Sequence, residues 1–374
     1  MRLALAEMRR NRGRFGAIIS ALVLVVFLVV VLNALADGLY YGATGAIRTS
    51  GADLYVFSKD GRRQLSRSSL PASSATTVAA VPGVREVGQV GALQGTGQGP
   101  AGTLDVALIG YEPGKPGGPS RTTAGRPPRS DEPFAAAADV SLKDKGIEIG
   151  DTITFSGSSR PITVVGFTSD SRYQLQPTLW TTVDTWRTVR NEARPEFEGQ
   201  QDDVQAIAVA LDQGASGAET SAAIDAALGG QTETITRATT VLSLPGVKQQ
   251  RSTFDQIIYT TFIVAAIVIA LFFALITLEK RTQLAILKAV GASSRYLATN
   301  ILVQSLLISI IGLAIGILLS RLLAVVVPST VPVTFRPATT VTIAIATIFT
   351  AVVGAAFSFR RVTRIDPASA LGGG

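Results

Sequence analysis

Long apolar stretches alternate with one large polar segment along the chain. Four stretches are nearly free of charge, and each holds roughly the 20 residues that an α-helix needs to cross a bilayer's hydrocarbon core. They occupy residues 17–36, 257–278, 296–320 and 337–359. The pattern predicts one membrane span, then a polar domain, then three spans in quick succession.

The polar segment 37–256 shows the shorter periods of a mixed α/β domain. A connector is predicted to open at Asp37, a Gly- and Pro-rich loop at 112–133, and a β-hairpin around 157–159. The polar stretch 245–256 predicts a helix continuous with the second span. The predicted strands are 53–57, 84–90, 103–111, 148–155, 162–168, 204–211 and 232–235, and the predicted helices are 72–80 and 218–228.

Together these patterns predict an α-helical membrane protein with four transmembrane helices, arranged 1 + 3. A large extracytoplasmic mixed α/β domain with a β-rich insert lies between the first span and the second. The predicted segments are 1–16 (amphipathic helix), 17–36, 37–256 (α/β domain), 257–278, 279–295 (inner loop), 296–326, 337–359 and 360–374 (tail).

The distribution of Lys and Arg predicts the orientation, because the cytoplasmic flanks of membrane spans are enriched in both. The N-terminal flank, the inner loop and the tail together hold twelve basic and three acidic residues, whereas 37–256 holds 20 basic and 24 acidic residues. Both termini are therefore predicted to be cytoplasmic. The high Ala, Gly and Arg content indicates a bacterial chain and hence a bacterial cell membrane. The net charge of +7 comes from these anchoring residues, so we predict lipid contacts and no nucleic-acid partner.

A cleaved signal peptide is the alternative for the first span, since Ala-Leu-Ala at 34–36 resembles a signal-peptidase site. The apolar stretch before it is longer than the 7–15 residues of an ordinary signal core, which favours a retained span.

The composition excludes several chemistries. The chain contains no His and no Cys, which excludes His-based acid–base catalysis, Cys nucleophiles and ordinary zinc sites. No GxxxxGK[ST] motif occurs, so the chain does not carry a Walker-type ATPase of its own. We predict no enzyme activity, no metal and no cofactor on this chain.

Three residues distinguish the third predicted span from an ordinary apolar membrane helix. Gly312 and Gly316 form a GxxxG pair, which allows close helix packing, although chance occurrence is the alternative. Arg321 either extends to lipid headgroups, pairs with Asp37 or Asp255, or contacts an anionic substrate.

The inner loop has helical spacing of apolar residues with charges between them, which predicts a short amphipathic helix for a partner motor to push. An ordinary positively charged loop is the alternative. The candidate coupling residues are Glu279, Arg281, Gln283, Leu284, Leu287, Lys288, Gly291 and Ala292.

At these residues the sequence resembles the FtsX-like permease family, the membrane subunits of MacB-type ABC transporters. Segment 281–292 is similar to the family's inner-loop motif, with Gln283 where many members have Glu. Segment 361–371 is similar to its C-terminal ending, and 150–154 and 164–167 to its outer-domain signature. The segment 245–254 looks nearest to the HrtB/DevC-like branch of haem and glycolipid exporters.

The resemblance implies a homodimer bound to two copies of a separate ABC-type ATPase that holds ATP and Mg. The inner loop would receive force, and the outer domains would move without a central substrate pore. Substrates would be hydrophobic or amphiphilic, with haem one possibility. The candidate substrate residues are Asp37, Tyr40, Tyr41, Phe254, Asp255, Tyr259 and Arg321.

Two other functions stay open at the sequence level. The chain could transmit force to an extracytoplasmic partner, such as a cell-wall hydrolase, without transporting anything. It could also be a membrane-anchored binding protein with no motor, although the inner-loop and tail motifs argue against that.

Overall fold

The computed structural model describes residues 12–100, 102–197, 200–279, 293–328 and 331–362, together with Ile286 and Val290. The chain forms two compact units. We call Leu39–Gln249 the sheet domain, and the segments on either side of it the helical unit.

In its described residues, the sheet domain is built on one mixed sheet of ten strands. Their order is β10-β1-β9-β2-β3-β8-β5-β7-β4, and β6 pairs with β2 and β7. The pairs β3–β8 and β5–β7 are parallel, and the other pairs are antiparallel. The strands are β1 Leu54–Ser58, β2 Val84–Gly99, β3 Gly102–Tyr111, β4 Thr122–Gly125, β5 Ala135–Asp139, β6 Thr152–Phe155, β7 Pro161–Thr168, β8 Thr178–Thr182, β9 Ala206–Leu211 and β10 Thr232–Thr236.

The predicted hairpin is present, because β6 and β7 pair in antiparallel register on either side of 157–159. The predicted insert is not a separate β-unit, since its strands join the main sheet. The predicted loop 112–133 contains β4, and the prediction missed β5 and β8 altogether.

Both faces of the sheet are buried. Neighbouring side chains on a strand point to opposite faces, and along β1 Val56 lies in one hydrophobic core while Tyr55 and Phe57 lie in another. We call the face that carries Tyr55 and Phe57 the attachment face. The other face is covered by the helices α2 Ser74–Ala79, α3 Val183–Ala193 and α4 Gly217–Ala227.

Two glycines allow α3 to approach the sheet. A Cβ atom on Gly91 would lie 2.2 Å from Trp186 Cζ2, and one on Gly110 would lie 2.4 Å from Trp186 Cβ. The large indole of Trp186 is therefore fully buried against bare backbone, which explains why glycine occupies two adjoining strand positions.

The helical unit contains long helices, two of which also contribute residues to the sheet domain. The remaining α-helices among the described residues are α1 Arg12–Arg48, α5 Arg237–Ser243, α6 Val247–Glu279, α7 Ser294–Val326 and α8 Pro337–Val362. By length and composition, two segments among the described residues are able to cross a membrane: Phe15–Arg48 and Leu302–Val326. Two apolar helices and a large α/β domain thus agree with the predicted fold class, whereas four spans remain a prediction.

The predicted connector at Asp37 is wrong, because α1 continues without a break to Arg48. Propensity disfavours a helix through three glycines in this segment, but Ala43, Ala46 and Ile47 bury their side chains on the attachment face. Tertiary packing therefore stabilises the last turns of the helix. The predicted helix in 245–256 is present as the start of α6.

Candidate functional site

The first and third long helices pack through small residues. A Cβ atom on Gly312 would lie 2.8 Å from Leu22 Cδ2, and one on Gly316 would lie 2.6 Å from Val26 Cγ1. One turn later the Ser320 hydroxyl donates to the Gly316 carbonyl oxygen at 2.8 Å and lies 3.4 Å from a carbonyl oxygen of α1. The GxxxG pair and Ser320 thus bring the backbones of α1 and α7 close together.

Beside this contact, α1 and α7 form an apolar groove of about 660 Å³. Apart from one hydroxyl its lining is aliphatic and aromatic, so it suits hydrocarbon rather than a charged group. Its residues look like those of any membrane helix, which explains why no sequence signal distinguished them. The lining residues are Ile19, Ser20, Val23, Leu24, Phe27, Ile315, Leu319, Leu322, Leu323 and Val326.

The segment between α7 and α8 contacts α1 two turns further along. The Thr334 N–H donates to the Ala34 carbonyl oxygen at 2.9 Å. At Gly38 a Cβ atom would meet the Pro332 carbonyl oxygen at 1.8 Å, so only glycine fits there. Asp37 accepts a hydrogen bond from the Thr339 hydroxyl at 2.7 Å. The segment therefore holds α1 by backbone contacts, and the start of α8 adds a side-chain hydrogen bond.

The structure does not join the predicted substrate residues of the helical unit into one cluster. Among the described residues, no ion pair links Arg321 to Asp37 or Asp255; the Arg321 guanidinium instead lies over the Phe335 ring, 4.9 Å from its centroid. On α6, Asp255 is exposed, and Tyr259 is 69% exposed.

Tyr259 belongs to an apolar stripe along α6 whose members recur every fourth residue and are more than half exposed. The stripe consists of Tyr259, Ile263, Ile267, Leu271 and Leu275. Phe254, another predicted substrate residue, is half-buried one turn before the stripe begins.

Tyr40 and Tyr41 lie in the sheet domain, on the last turns of α1. Their rings meet edge to face at 5.2 Å. Tyr40 packs against the core of the attachment face. Tyr41 carries the Arg48 guanidinium over its ring, 4.5 Å from the centroid. Arg48 also forms an ion pair with Asp170, which lies in the loop between β7 and β8.

That loop, residues 170–176, surrounds the end of α1, and we call it the clasp loop. Its N–H groups at Gln174 and Leu175 donate to the carbonyl oxygens of Ala43 and Gly42 at 2.9 and 3.0 Å. A third backbone hydrogen bond runs the other way: the N–H of residue 46 in α1 donates to a carbonyl oxygen of the loop at 2.9 Å. A Cβ atom on Gly45 would lie 2.6 Å from the Asp170 carbonyl oxygen. The loop thus grips α1 through its backbone.

A buried polar cluster fixes the clasp loop to the sheet. Asp139 at the end of β5 is only 2% exposed. Its carboxylate accepts hydrogen bonds from Ser141 at 2.6 Å and from Ser171 of the clasp loop at 2.8 Å. Ser171 is also bonded to the hydroxyls of Thr168 and Thr178 at 2.8 and 3.1 Å. Because buried polar groups are stable only with partners, this cluster specifies one position for the loop.

The tyrosines of the attachment face are held in their neutral form. Burial raises the pKa of Tyr55 to about 12, although its hydroxyl bonds to Ser50 at 2.5 Å. Burial also raises the pKa of Tyr111 and of Tyr173 to about 12. Within the described ranges, no group of three or more Asp and Glu side chains is arranged to hold a metal ion.

The second helix that leaves the sheet domain begins on the same face. Three residues are buried in the core that also holds Ala43 and Ala46 of α1: Val241 of α5, Leu244 between the two helices and Val247 at the start of α6. Small side chains line the sheet beneath them and allow both helices to lie close. They are Ala92, Ala107, Ala137, Ala206 and Ala208.

The predicted coupling residues fall almost entirely outside the described part of the chain. Glu279 ends α6, whereas Arg281, Gln283, Leu284, Leu287, Lys288, Gly291 and Ala292 lie outside the described residues. Just after them, the Ser293 hydroxyl accepts a hydrogen bond from the Tyr296 N–H at 3.2 Å and caps the start of α7. This cap marks a helix boundary after the inner loop.

Comparison with known proteins assigns the family. Residues 15–227 match the MacB-like periplasmic core domain, and residues 257–367 match the FtsX-like permease C-terminal region. The chain belongs to the FtsX-like permease family, and it is a membrane protein of the MacB and HrtB type of ABC transporter permease.

Several relatives carry transporter names. A putative hemin transport system permease protein HrtB of Staphylococcus haemolyticus is 22% identical over 100% of this chain and 99% of its own length. Its namesake in Staphylococcus epidermidis is 28% identical over 132 residues, and that match spans only 38% of the relative's length and 35% of this chain. An ABC transporter permease of Mycobacterium tuberculosis is 24% identical over 99% of both chains.

Among solved structures, the periplasmic region of MacB from Actinobacillus actinomycetemcomitans is 16% identical, with a TM-score of 0.40. The alignment covers 54% of this chain and 96% of that one.

Proposed function

We propose that this chain is the permease subunit of an ABC exporter. A separate ATPase subunit hydrolyses ATP, and the resulting movement expels a hydrophobic or amphiphilic compound by mechanotransmission. The observation that carries the proposal is that α1 and α6 contribute residues both to the helical unit and to one face of the sheet domain. Unbroken helices are stiff, so movement at one end is passed along their length.

The proposal includes the arrangement of the chain in the membrane. All four apolar stretches cross the bilayer, both termini are cytoplasmic, and two copies bind two ATPase subunits. The inner loop 279–292 is the seat of the ATPase. Family membership and the concentration of basic residues in the flanks support this arrangement.

An amphiphile is the proposed substrate class. The apolar groove between α1 and α7 and the exposed stripe on α6 provide hydrocarbon-compatible surfaces. Relatives named for hemin transport make hemin the first compound to test. No His is available to bind its iron, so recognition would depend on apolar contacts and on Tyr or carboxylate side chains.

The test is ATP hydrolysis by the purified complex in lipid nanodiscs, with and without hemin and a panel of envelope amphiphiles. We expect one compound to stimulate hydrolysis, and Tyr259→Ala to lose that stimulation. Phe349→Ala on α8 is the matched control, because it removes an equally exposed aromatic side chain that lies outside the stripe and the groove. A flat response to every compound would instead favour the regulation of an extracytoplasmic protein partner.

A further inference from the structure

The clasp loop has an unusual backbone for a loop without glycine. Asp170, Gln174 and Leu175 have φ values of 55°, 48° and 70°. For residues other than glycine, a left-handed conformation is unfavourable and persists only where the surroundings enforce it. Here the conformations aim the N–H groups of Gln174 and Leu175 at carbonyl oxygens of α1.

The loop is held on its other side by the sheet. Ser171 is bonded to the buried Asp139 carboxylate at 2.8 Å, and the Tyr173 ring is 2% exposed within the attachment-face core. The Gln94 side chain of β2 donates to the Gln176 side chain at 3.1 Å. One surface of the loop is therefore anchored to the sheet, while the other binds the helix.

The two helices share one apolar core and differ in their further contacts. The start of α6 is attached through apolar side chains such as Leu244 and Val247, and apolar contact is non-directional, so it tolerates sliding. The end of α1 buries Ala46 in this core as well, and it is held in addition by directional N–H···O bonds and the Arg48–Asp170 ion pair. A shift of α1 by one residue's rise, about 1.5 Å, would break such bonds. The loop must therefore move with α1.

We infer that the clasp loop is the point at which movement of α1 enters the sheet domain. The inference rests on the proposed function, because it names the element through which that function acts. Arg48, Asp170 and Ser171 act as positioning residues, and they need not contact the transported compound.

The first variant places a bulky side chain at the contact between α1 and the clasp loop. Gly45→Val places a branched side chain against the Asp170 carbonyl oxygen, where even a Cβ atom would lie at 2.6 Å. Gly16→Val is the matched control, because it makes the same change in the same helix where nothing lies within 4 Å of the added Cβ. The Arg48→Asp variant breaks the ion pair without a wedge, and adding Asp170→Arg restores it with reversed charges.

The readout is a distance between two spin labels in the full complex with its ATPase. The natural chain has no Cys, so Leu28→Cys on α1 and Asp144→Cys on the sheet domain give one site each per copy of the chain, and both positions are exposed. ATP hydrolysis is measured on the same samples. Hydrogen exchange of the Gln174 and Leu175 amides reports the grip itself.

We expect ATP to change the label distance in the parent protein and in Gly16→Val. In Gly45→Val the change should be lost, with ATP hydrolysis within about twofold of the parent, and the two amides should exchange at least about tenfold faster. Arg48→Asp should reduce the change, and the charge-reversed pair should restore it. If Gly45→Val does not fold, this charge reversal decides the matter.

Two other outcomes would overturn the clasp inference, and they differ in what they mean for the proposed function. A distance change in Gly45→Val and in Arg48→Asp equal to that of the parent would overturn the clasp inference and leave the proposed function standing. No ATP-dependent change in the parent itself would overturn the proposed mechanotransmission, and the clasp inference with it.

Discussion

Val26 of α1 packs directly on Gly316 of α7, and a Cβ atom at position 316 would come within 2.6 Å of the valine Cγ1. Because one partner has no side chain, the two helix backbones meet at this point. In a bilayer, where lipid is as apolar as leucine, such van der Waals packing is a main source of helix association.

A branched side chain at this contact should separate the helices. Gly316→Val is expected to destabilise the helical unit by about 1–3 kcal/mol, the usual cost of overpacking. The measurement is thermal unfolding of the purified protein in detergent. Ala314→Val is the control, since position 314 is exposed on the same helix. Equal melting temperatures for the two variants would show that the α1–α7 contact is not required for stability.

The hydrophobic pattern of the sequence predicted those elements that are determined by residues close to one another in the chain. Alternation in 162–168 and the turn residues before it predicted the hairpin that β6 and β7 form. Strand β5 reads Ala-Ala-Ala-Ala-Asp, a composition that favours helix over strand. It is a strand because it lies between β7 and β8, fully buried, and no local signal encodes those partners.

The same contrast between local signals and long-range contacts applies to the candidate site. The GxxxG pair was visible in the sequence, and its partner residues on α1 were not. The clasp loop was not predicted at all, because its role depends on left-handed residues and backbone bonds to α1. Backbone contacts of that kind do not require particular residue types and so give no sequence signal, apart from the glycine at position 45 that allows the close approach.

The hydrogen bond between Asp37 and Thr339 should couple α1 to α8. Thr339→Val removes the donor and leaves a half-buried carboxylate without it, so we expect a loss of about 1 kcal/mol. A double-mutant cycle with Asp37→Asn, followed by thermal unfolding, measures the pair. Thr342→Val is the control, because that hydroxyl is exposed and bonds only within α8. Additive effects of the two substitutions would show that the pair is not coupled.

Acid should weaken the contact between α3 and the turn that joins β6 to β7. A hydrogen bond from Ser158, at 2.6 Å, lowers the pKa of Glu192, and Arg160 lowers it further. A lowered folded-state pKa stabilises the fold above the ordinary Glu pKa of about 4.3, and this stabilisation is lost as pH falls through the folded value.

The Glu192→Gln variant should therefore melt below the parent at pH 7, and the difference should shrink as the pH falls from about 5 towards 3. Melting of the full protein followed by tryptophan fluorescence measures this, since Trp186 lies on the same helix. Glu148→Gln, at an exposed site, should show no such trend. A difference between Glu192→Gln and the parent that stays constant with pH would contradict the assignment.

The inner loop should pass force from the ATPase to the permease. In the sequence, Leu284, Leu287 and Gly291 recur at helical spacing on one face, which is the surface that a partner subunit would press. Leu287→Asp places a charge in that apolar contact, so we expect membrane insertion to be normal and ATP hydrolysis no longer to drive the label movement. Ile286→Asp is the control and should retain coupling, because adjacent residues of the predicted helix point about 100° apart. Normal coupling in Leu287→Asp would rule out this face as the seat of the ATPase, because a buried unpaired charge costs too much for the contact to survive.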